Sequence, residues 1–184
     1  MIFEYGRAVV EALLFATPEP LPPRRLAEII GLEERAARDL CEDLKREYER
    51  QGRGLQVVEV AGGYQFVTRP DLAAYVAKLH PTRGGGNLTQ AALETLAVVA
   101  YRQPVTRAEV EVIRGVNVDH SLHTLLERGL IREIGRKEGP GRPILYGTTR
   151  EFLQHFGLKD LEALPGLPPP AEGVGAAPEG QGQG

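Results

Sequence analysis

Residues 104–134 read PVTRAEVEVIRGVNVDHSLHTLLERGLIREI, and the spacing of polar and apolar residues in this stretch decides the predicted fold. Thr106 and Glu109 have the spacing of a capping box and predict the start of a short helix, which Gly115 would end. Asn117 is predicted to cap a second helix. The apolar face of that second helix is predicted to carry Leu122, Leu125 and Leu126.

Further helices are predicted on both sides of this stretch. Thr89 is a suitable N-cap for the preceding helix, which would end before Pro104. Its apolar residues recur at helical spacing and are Leu93, Leu96, Ala97 and Ala100. Further along the chain, Thr148 and Glu151 have the spacing of another capping box. Gly157 would end the helix that they begin.

A β-hairpin is predicted between the last two helices. Residues 131–134 and 144–146 are rich in β-branched and aromatic side chains, which favour strands. Glycines and prolines in residues 137–143 indicate the turn that joins them. Three short helices followed by a hairpin predict a winged helix-turn-helix module.

The first half of the chain repeats this order of elements. A shift of 84 residues aligns Ala16, Pro20, Leu26, Ile29 and Gly31 with Ala100, Pro104, Val110, Ile113 and Gly115. A long third helix is predicted at residues 33–51, and strands at 55–60 and 64–68 flank a Gly-Gly turn signal. The residues predicted to lie on the apolar faces of the first two helices are Val9, Ala12, Leu13, Ala16, Leu26, Ile29 and Ile30.

Two changes in composition divide the chain. Three consecutive glycines at 84–86 predict a flexible linker over residues 81–87. This linker would join two winged-helix domains, residues 1–80 and 88–164. Residues 165–184 are dominated by proline and glycine and are predicted to be a disordered tail. The predicted fold class is therefore mainly α with small β-hairpins (α+β), arranged as tandem winged-helix domains.

The composition excludes several classes of protein. A net charge of -3 over 184 residues does not supply the concentrated basic surface that coating nucleic acid or an anionic membrane requires. Cys41 is the chain's one cysteine, so an internal disulfide or a cysteine zinc cage cannot form, and we expect a small buried apolar residue there. No run of 18 apolar residues and no signal-peptide pattern occurs, so we expect a cytoplasmic protein with no membrane partner.

The charge of the predicted third helices bears on DNA binding, because a winged helix commonly places this helix in the major groove. Residues 33–50 carry seven acidic and five basic side chains, and residues 117–126 contain no lysine or arginine. Such helices would repel phosphates, so we expect at most weak DNA binding by this chain. A winged-helix DNA-binding transcriptional regulator remains the alternative function.

Candidate residues for catalysis or metal binding are few. His120, His123 and Glu127 have a helical spacing that could put three ligands on one face. Two surface histidines are the simpler interpretation, because a zinc site normally needs a more complete ligand set. The sequence carries no phosphate-binding loop and no recognisable nucleophile and base motif, so it predicts neither an enzyme nor a cofactor site.

The loop of the second hairpin is the strongest candidate for a binding site. Its glycines and prolines predict a stiff, projecting turn, and arginine and tyrosine are enriched in protein interfaces. The candidate binding residues are Arg136, Lys137, Arg142, Pro143 and Tyr146. Packing of Tyr146 in the core is the alternative for that residue.

Several stretches resemble the segregation and condensation protein B (ScpB) family. In the second half they are LTQAALETLA at 88–97, residues 103–109 and 114–117, and GRPILYGTT at 141–149. The segments 156–158 and 161–165 resemble its closing part. The likeness is looser in the first half, at 11–15 and 62–64.

This resemblance implies a non-catalytic subunit of the bacterial condensin-like SMC complex, without a cofactor. Its partner would be the kleisin subunit ScpA, which in turn engages the SMC ATPase in chromosome condensation and partition. We expect ScpA to bind at the five residues of the second hairpin named above, because a stiff loop that carries arginine can pair with a partner segment at a low ordering cost. The family also implies a homodimer through residues 1–80. We expect the apolar cluster of Ile2, Phe3 and Tyr5 to lie at its interface, and packing of this cluster within its own domain is the alternative. The expected location is the cytoplasm, with the nucleoid.

Overall fold

A computed structural model of the chain describes residues 2–79 and 87–166, and the side chains of residues 2–4 are outside the description. The predicted linker at 81–87, apart from Asn87, lies outside the described residues. The predicted disordered tail also lies outside them from residue 167 onward.

The described elements form two groups that follow one another along the chain. The first group comprises α1 (Ile2–Phe15), α2 (Pro23–Ile30), α3 (Glu34–Gln51), β1 (Leu55–Val60), β2 (Gly63–Thr68), a 3-10 turn (Pro70–Leu72) and α4 (Ala73–Leu79). The second group comprises α5 (Gln90–Arg102), β3 (Val105–Thr106), α6 (Arg107–Arg114), α7 (Asp119–Glu127), β4 (Ile131–Arg136), β5 (Ile144–Thr148), α8 (Arg150–Phe156) and a 3-10 turn (Leu161–Ala163).

Each group has three helices followed by an antiparallel hairpin. In the second group β3 adds a third strand, in the order β3-β5-β4. In the first group Leu21 takes the place of that strand, because its backbone N–H and C=O both bond Tyr64 of β2 at 2.9 Å. The predicted fold class, mainly α with small β-hairpins in tandem winged helices, is confirmed for the described residues.

Each group has its own hydrophobic core. The first core packs α1, α2 and α3 against the hairpin and includes Val10, Leu14, Leu26, Leu40, Leu44 and Tyr64. The second core packs α5, α6 and α7 against β5 and α8 and includes Leu96, Val110, Leu122, Leu125, Tyr146 and Phe152. Cys41 is fully buried in the first core, as predicted, and burial raises the pKa of its thiol to about 12. The thiol is therefore protonated and unreactive at neutral pH.

The predicted apolar face of α1 is wrong at Ala12 and Ala16, whereas Leu13 is partly buried and packs against the first core as predicted. Val10 and Leu14 point into the core, whereas Ala12 and Ala16 are exposed. Gly6 lies on the same face, where an added Cβ would come 3.2 Å from a methyl of Leu40. The face with glycine and the larger side chains packs against α3, because burying two alanines would remove less apolar area from water.

Most helices begin and end where their capping residues predict. The capping box of Thr106 and Glu109 opens α6, and Gly115 closes it in the left-handed conformation with φ 69°. Val118 rather than Asn117 precedes α7 as its N-cap residue, because the Val118 side chain is buried in the core. The Asn117 side chain instead accepts a hydrogen bond from the Asp119 N–H at 3.1 Å.

The N-cap of α8 is also displaced from its predicted position. Thr149, not Thr148, accepts the cap hydrogen bond, from the Phe152 N–H at 3.1 Å. Thr148 is held by the side chain of Gln103, whose Nε2 donates to the Thr148 hydroxyl at 3.0 Å. This long-range contact leaves the next threonine to cap the helix. In the described ranges, no helix is long and apolar enough to cross a bilayer.

Candidate interaction surface

The loop between β4 and β5, residues 137–143, forms an exposed wing that is closed by its own hydrogen bonds. The Lys137 N–H donates to the Pro143 carbonyl at 2.9 Å, and the Arg142 N–H donates to the Gly139 carbonyl at 3.2 Å. An Arg136 guanidinium nitrogen lies 3.2 Å from the Arg142 carbonyl oxygen. The loop projects into solvent, and these contacts keep it in one conformation. Less conformational entropy is therefore lost when a partner binds.

An ion pair ties this wing to the start of α6. Lys137 Nζ lies 2.6 Å from Oε1 of Glu109, while Oε2 of the same carboxylate accepts from the N–H and the hydroxyl of Thr106, each at 2.8 Å. The hydrogen bond from Lys137, followed by those from Thr106, lowers the pKa of Glu109 to about 2. Glu109 therefore caps α6 and also holds the wing in place through its ion pair with Lys137.

The structure brings four of the five candidate wing residues to the surface. Arg142 and Pro143 are exposed near the tip, and Arg136 and Lys137 are exposed on its flank while making the contacts above. Tyr146 is only 9% exposed and pairs with Val105 in the second sheet. Its ring lies in the core, so Tyr146 supports the base of the wing from inside.

A surface that the sequence analysis missed lies on α6, next to the wing. Val112 is 83% exposed and Ile113 is 51% exposed, and Val116 just beyond the helix is exposed as well. Val110 on the opposite side is fully buried. The sequence does contain a signal for this surface, which is the presence of aliphatic residues on both sides of one short helix. An ordinary surface helix is polar on its outer face.

The equivalent helix of the first group differs from this face at the position of Val112. At the positions of Ile113 and Val116 the first group also has exposed aliphatic residues, Ile29 and Leu32. With the shift of 84 residues, Ala108 and Val112 of α6 correspond to Arg24 and Glu28 of α2. Those two charged side chains form an ion pair of 3.4 Å on an ordinary solvated face. Ile29, predicted to face inward, is 47% exposed there, because Leu26 and Ala27 make the core contacts instead.

A second apolar surface runs between α5 and α8. Leu93 and Ala97, both predicted on the apolar stripe of α5, line a groove of about 280 Å³ together with Tyr101 and Phe156. The Tyr101 hydroxyl donates to the Pro165 carbonyl at 2.6 Å at one side of this groove. Thus α5 has an inner face in the core and an outer apolar face at this groove.

The remaining charged candidates lie in ion pairs on the surfaces of α7 and α3. His123 lies 3.2 Å from Glu127 in a pair on the surface of α7, and no group of three possible metal-ligating His, Cys, Asp or Glu side chains occurs in residues 2–79 and 87–166. On α3, Arg46 and Arg50 pair with acidic residues of the same helix. These pairs reduce the positive charge available to a phosphate backbone.

The N-terminal candidate residues are only partly described. Tyr5 is 75% exposed on α1. The side chains of Ile2 and Phe3 lie outside the described residues, so their predicted cluster with Tyr5 stays a prediction.

Comparison with known proteins supplies the family. The sequence model of the family described as segregation and condensation complex subunit ScpB matches residues 8–167. Segregation and condensation protein B of Symbiobacterium thermophilum is 58% identical over 165 residues, covering 90% of this chain and 75% of that protein.

Two solved structures are also similar. ScpB from Mycobacterium tuberculosis is 38% identical, with a TM-score of 0.42, covering 85% of this chain and 97% of that chain. A dimer of the ScpB N-terminal domain complexed with a ScpA peptide is 34% identical, with a TM-score of 0.41, covering 43% of this chain and 99% of that chain. On the family match and the 58% identity, this chain belongs to the family of the segregation and condensation complex subunit ScpB.

Proposed function

We propose that this chain is a non-catalytic subunit of the SMC complex that binds the kleisin ScpA and, through it, the SMC ATPase. Its role would be in chromosome condensation and partition, in the cytoplasm at the nucleoid, with no cofactor. Membership of a family described as a complex subunit supports this proposal. The exposed surfaces of the chain are suited to holding a protein partner.

The observation that carries the kleisin contact is the apolar outer face of α6 beside the basic wing. A contiguous apolar surface rimmed by polar residues is characteristic of a protein interaction site. We place Val112, Ile113 and Val116 at the centre of the contact, and Arg142 and Pro143 at its edge. Arg136 and Lys137 keep the wing in position, and Tyr146 packs beneath it.

This arrangement specifies the chemistry of the kleisin segment. Its apolar side chains would cover the α6 face, and acidic side chains beside them would meet Arg142. An amphipathic helix that carries acidic residues along one edge satisfies both requirements, as in other helix-binding grooves.

A direct binding measurement tests the proposal. The full chain and the kleisin ScpA are mixed and analysed by size-exclusion chromatography and titration calorimetry. We expect a stable complex that elutes as one peak. Failure of the two folded proteins to associate, combined with tight binding of the chain alone to a specific DNA sequence, would instead establish the transcriptional regulator.

We further propose that the chain is a homodimer through its first group of elements. Self-association and ScpA binding are properties of the relative described as an N-terminal domain dimer with a ScpA peptide, and both are extended here to this chain as a proposal. The exposed Tyr5 on α1 supports an interface at that helix.

Sedimentation of the full chain over a dilution series tests the homodimer. Tyr5→Glu is expected to lower the dimer fraction, because a charge would be buried at the interface. Tyr75→Glu, at a tyrosine of similar exposure on α4, is the matched control and should not change it. A monomeric wild type, or equal effects of the two variants, would contradict this interface.

A further inference from the structure

The turn of the first hairpin forms hydrogen bonds with the second group of elements. The backbone N–H of Ala61 donates to the Leu158 carbonyl at 2.9 Å, and the N–H of the next residue, Gly62, donates to the Lys159 carbonyl at 2.9 Å. Leu158 and Lys159 follow Gly157, which caps the C-terminal end of α8. Two consecutive amides therefore hold two consecutive carbonyls from a segment almost a hundred residues away.

The conformation of this turn makes both donors available. Ala61 and Gly62 have φ values of 49° and 71°, so both central residues of the two-residue turn are left-handed, as in a type I′ hairpin. Their N–H groups point away from the hairpin ladder, and without an acceptor they would be left to water. Alanine rarely adopts this conformation, so the contact also helps to maintain the turn.

Charged side chains reinforce the same contact. Lys159 Nζ lies 3.1 Å from Oε2 of Glu59 on β1, and Oε1 of that carboxylate accepts from Arg38 of α3 at 3.1 Å. The Glu59 side chain is only 18% exposed. A guanidinium nitrogen of Arg150 on α8 donates to the Pro20 carbonyl at 2.8 Å.

We propose that the first wing is an internal docking site for residues 158–159, and that this contact is a releasable latch setting the angle between the two winged-helix units. The polar part of the contact comprises two backbone hydrogen bonds, one ion pair and the hydrogen bond from Arg150 to the Pro20 carbonyl, and polar contacts of this kind between domains permit relative motion. The wing at 137–143 makes no such contact with the first group among the described residues. One wing therefore joins the two units, and the other remains available for a partner.

Amide hydrogen exchange by NMR on the full chain tests the latch without any partner. We expect the amides of Ala61 and Gly62 to exchange at least about tenfold more slowly than that of Gly141 in the exposed second wing, because exchange requires opening of the latch. The protection should be the same at high and low protein concentration. Exchange as fast as that of Gly141, or protection lost on dilution, would overturn an intrachain latch.

A pair of variants isolates the charged part of the contact. Lys159→Ala should speed exchange at Ala61 and Gly62 several-fold, and raised salt should do the same in the wild type. Lys45→Ala, which removes a lysine on α3 outside this cluster, is the matched control and should leave both rates unchanged. Thermal melting identifies any variant that has lost its fold, and Arg150→Ala then replaces it. Unchanged exchange in folded Lys159→Ala and Arg150→Ala chains would refute the latch.

Discussion

Replacing Val112 by glutamate gives the most direct test of the α6 surface, because the first copy of the module carries Glu28 at the equivalent position. Val112 is 83% exposed in the free chain, so the change should alter the free energy of unfolding by no more than about 0.5 kcal/mol. Covering a valine side chain contributes about 1.5 to 3 kcal/mol. The lower figure corresponds to about a tenfold change in Kd, so ScpA should bind Val112→Glu at least about tenfold more weakly.

Titration calorimetry with ScpA, alongside thermal melting of each variant, measures this effect. Leu161→Glu is the matched control, because Leu161 is an aliphatic residue of the last 3-10 turn that is 42% exposed. That variant should bind ScpA as the wild type does, since Leu161 lies outside both the α6 face and the wing. Wild-type affinity in a folded Val112→Glu chain would refute the assignment of α6 as the kleisin contact.

Three other outcomes are expected. Arg142→Ala combined with Arg136→Ala should weaken ScpA binding by about 1 to 3 kcal/mol, the range of interface anchors, and unchanged affinity in calorimetry would make the wing purely structural. The isolated protein should shift duplex DNA only weakly at physiological salt, and nanomolar affinity for one sequence would contradict this. The folded pKa of Glu109, about 2, lies below its ordinary value of 4.5, so its stabilisation is complete above pH 4.5 and lost as the pH falls towards 2. Urea unfolding should show a flatter pH dependence there for Glu109→Gln, and identical pH profiles would disprove the Lys137 anchor.

The order and type of the elements could be predicted from the sequence, because these depend on local signals. Capping boxes, left-handed glycines and the alternation within strands act over a few residues, so Thr106, Glu109 and Gly115 bound α6 as predicted. The repeat was visible for the same reason, since both copies use equivalent turn positions. The family resemblance was carried by continuous stretches of sequence, and the family match covers residues 8–167.

The tertiary structure decided which side of each element is buried and which contacts remain for partners. Val10 rather than Ala12 faces the core, and Tyr146 lies inside the wing base, because packing against elements distant in sequence selects among apolar faces of similar strength. The apolar stripe predicted on α5 includes Leu93 and Ala97, which line the outer groove, and only the packing of the helix distinguishes them from the core residue Leu96. The docking of Ala61 and Gly62 on residues 158–159 carries no sequence signal, because backbone groups make it and every residue has them.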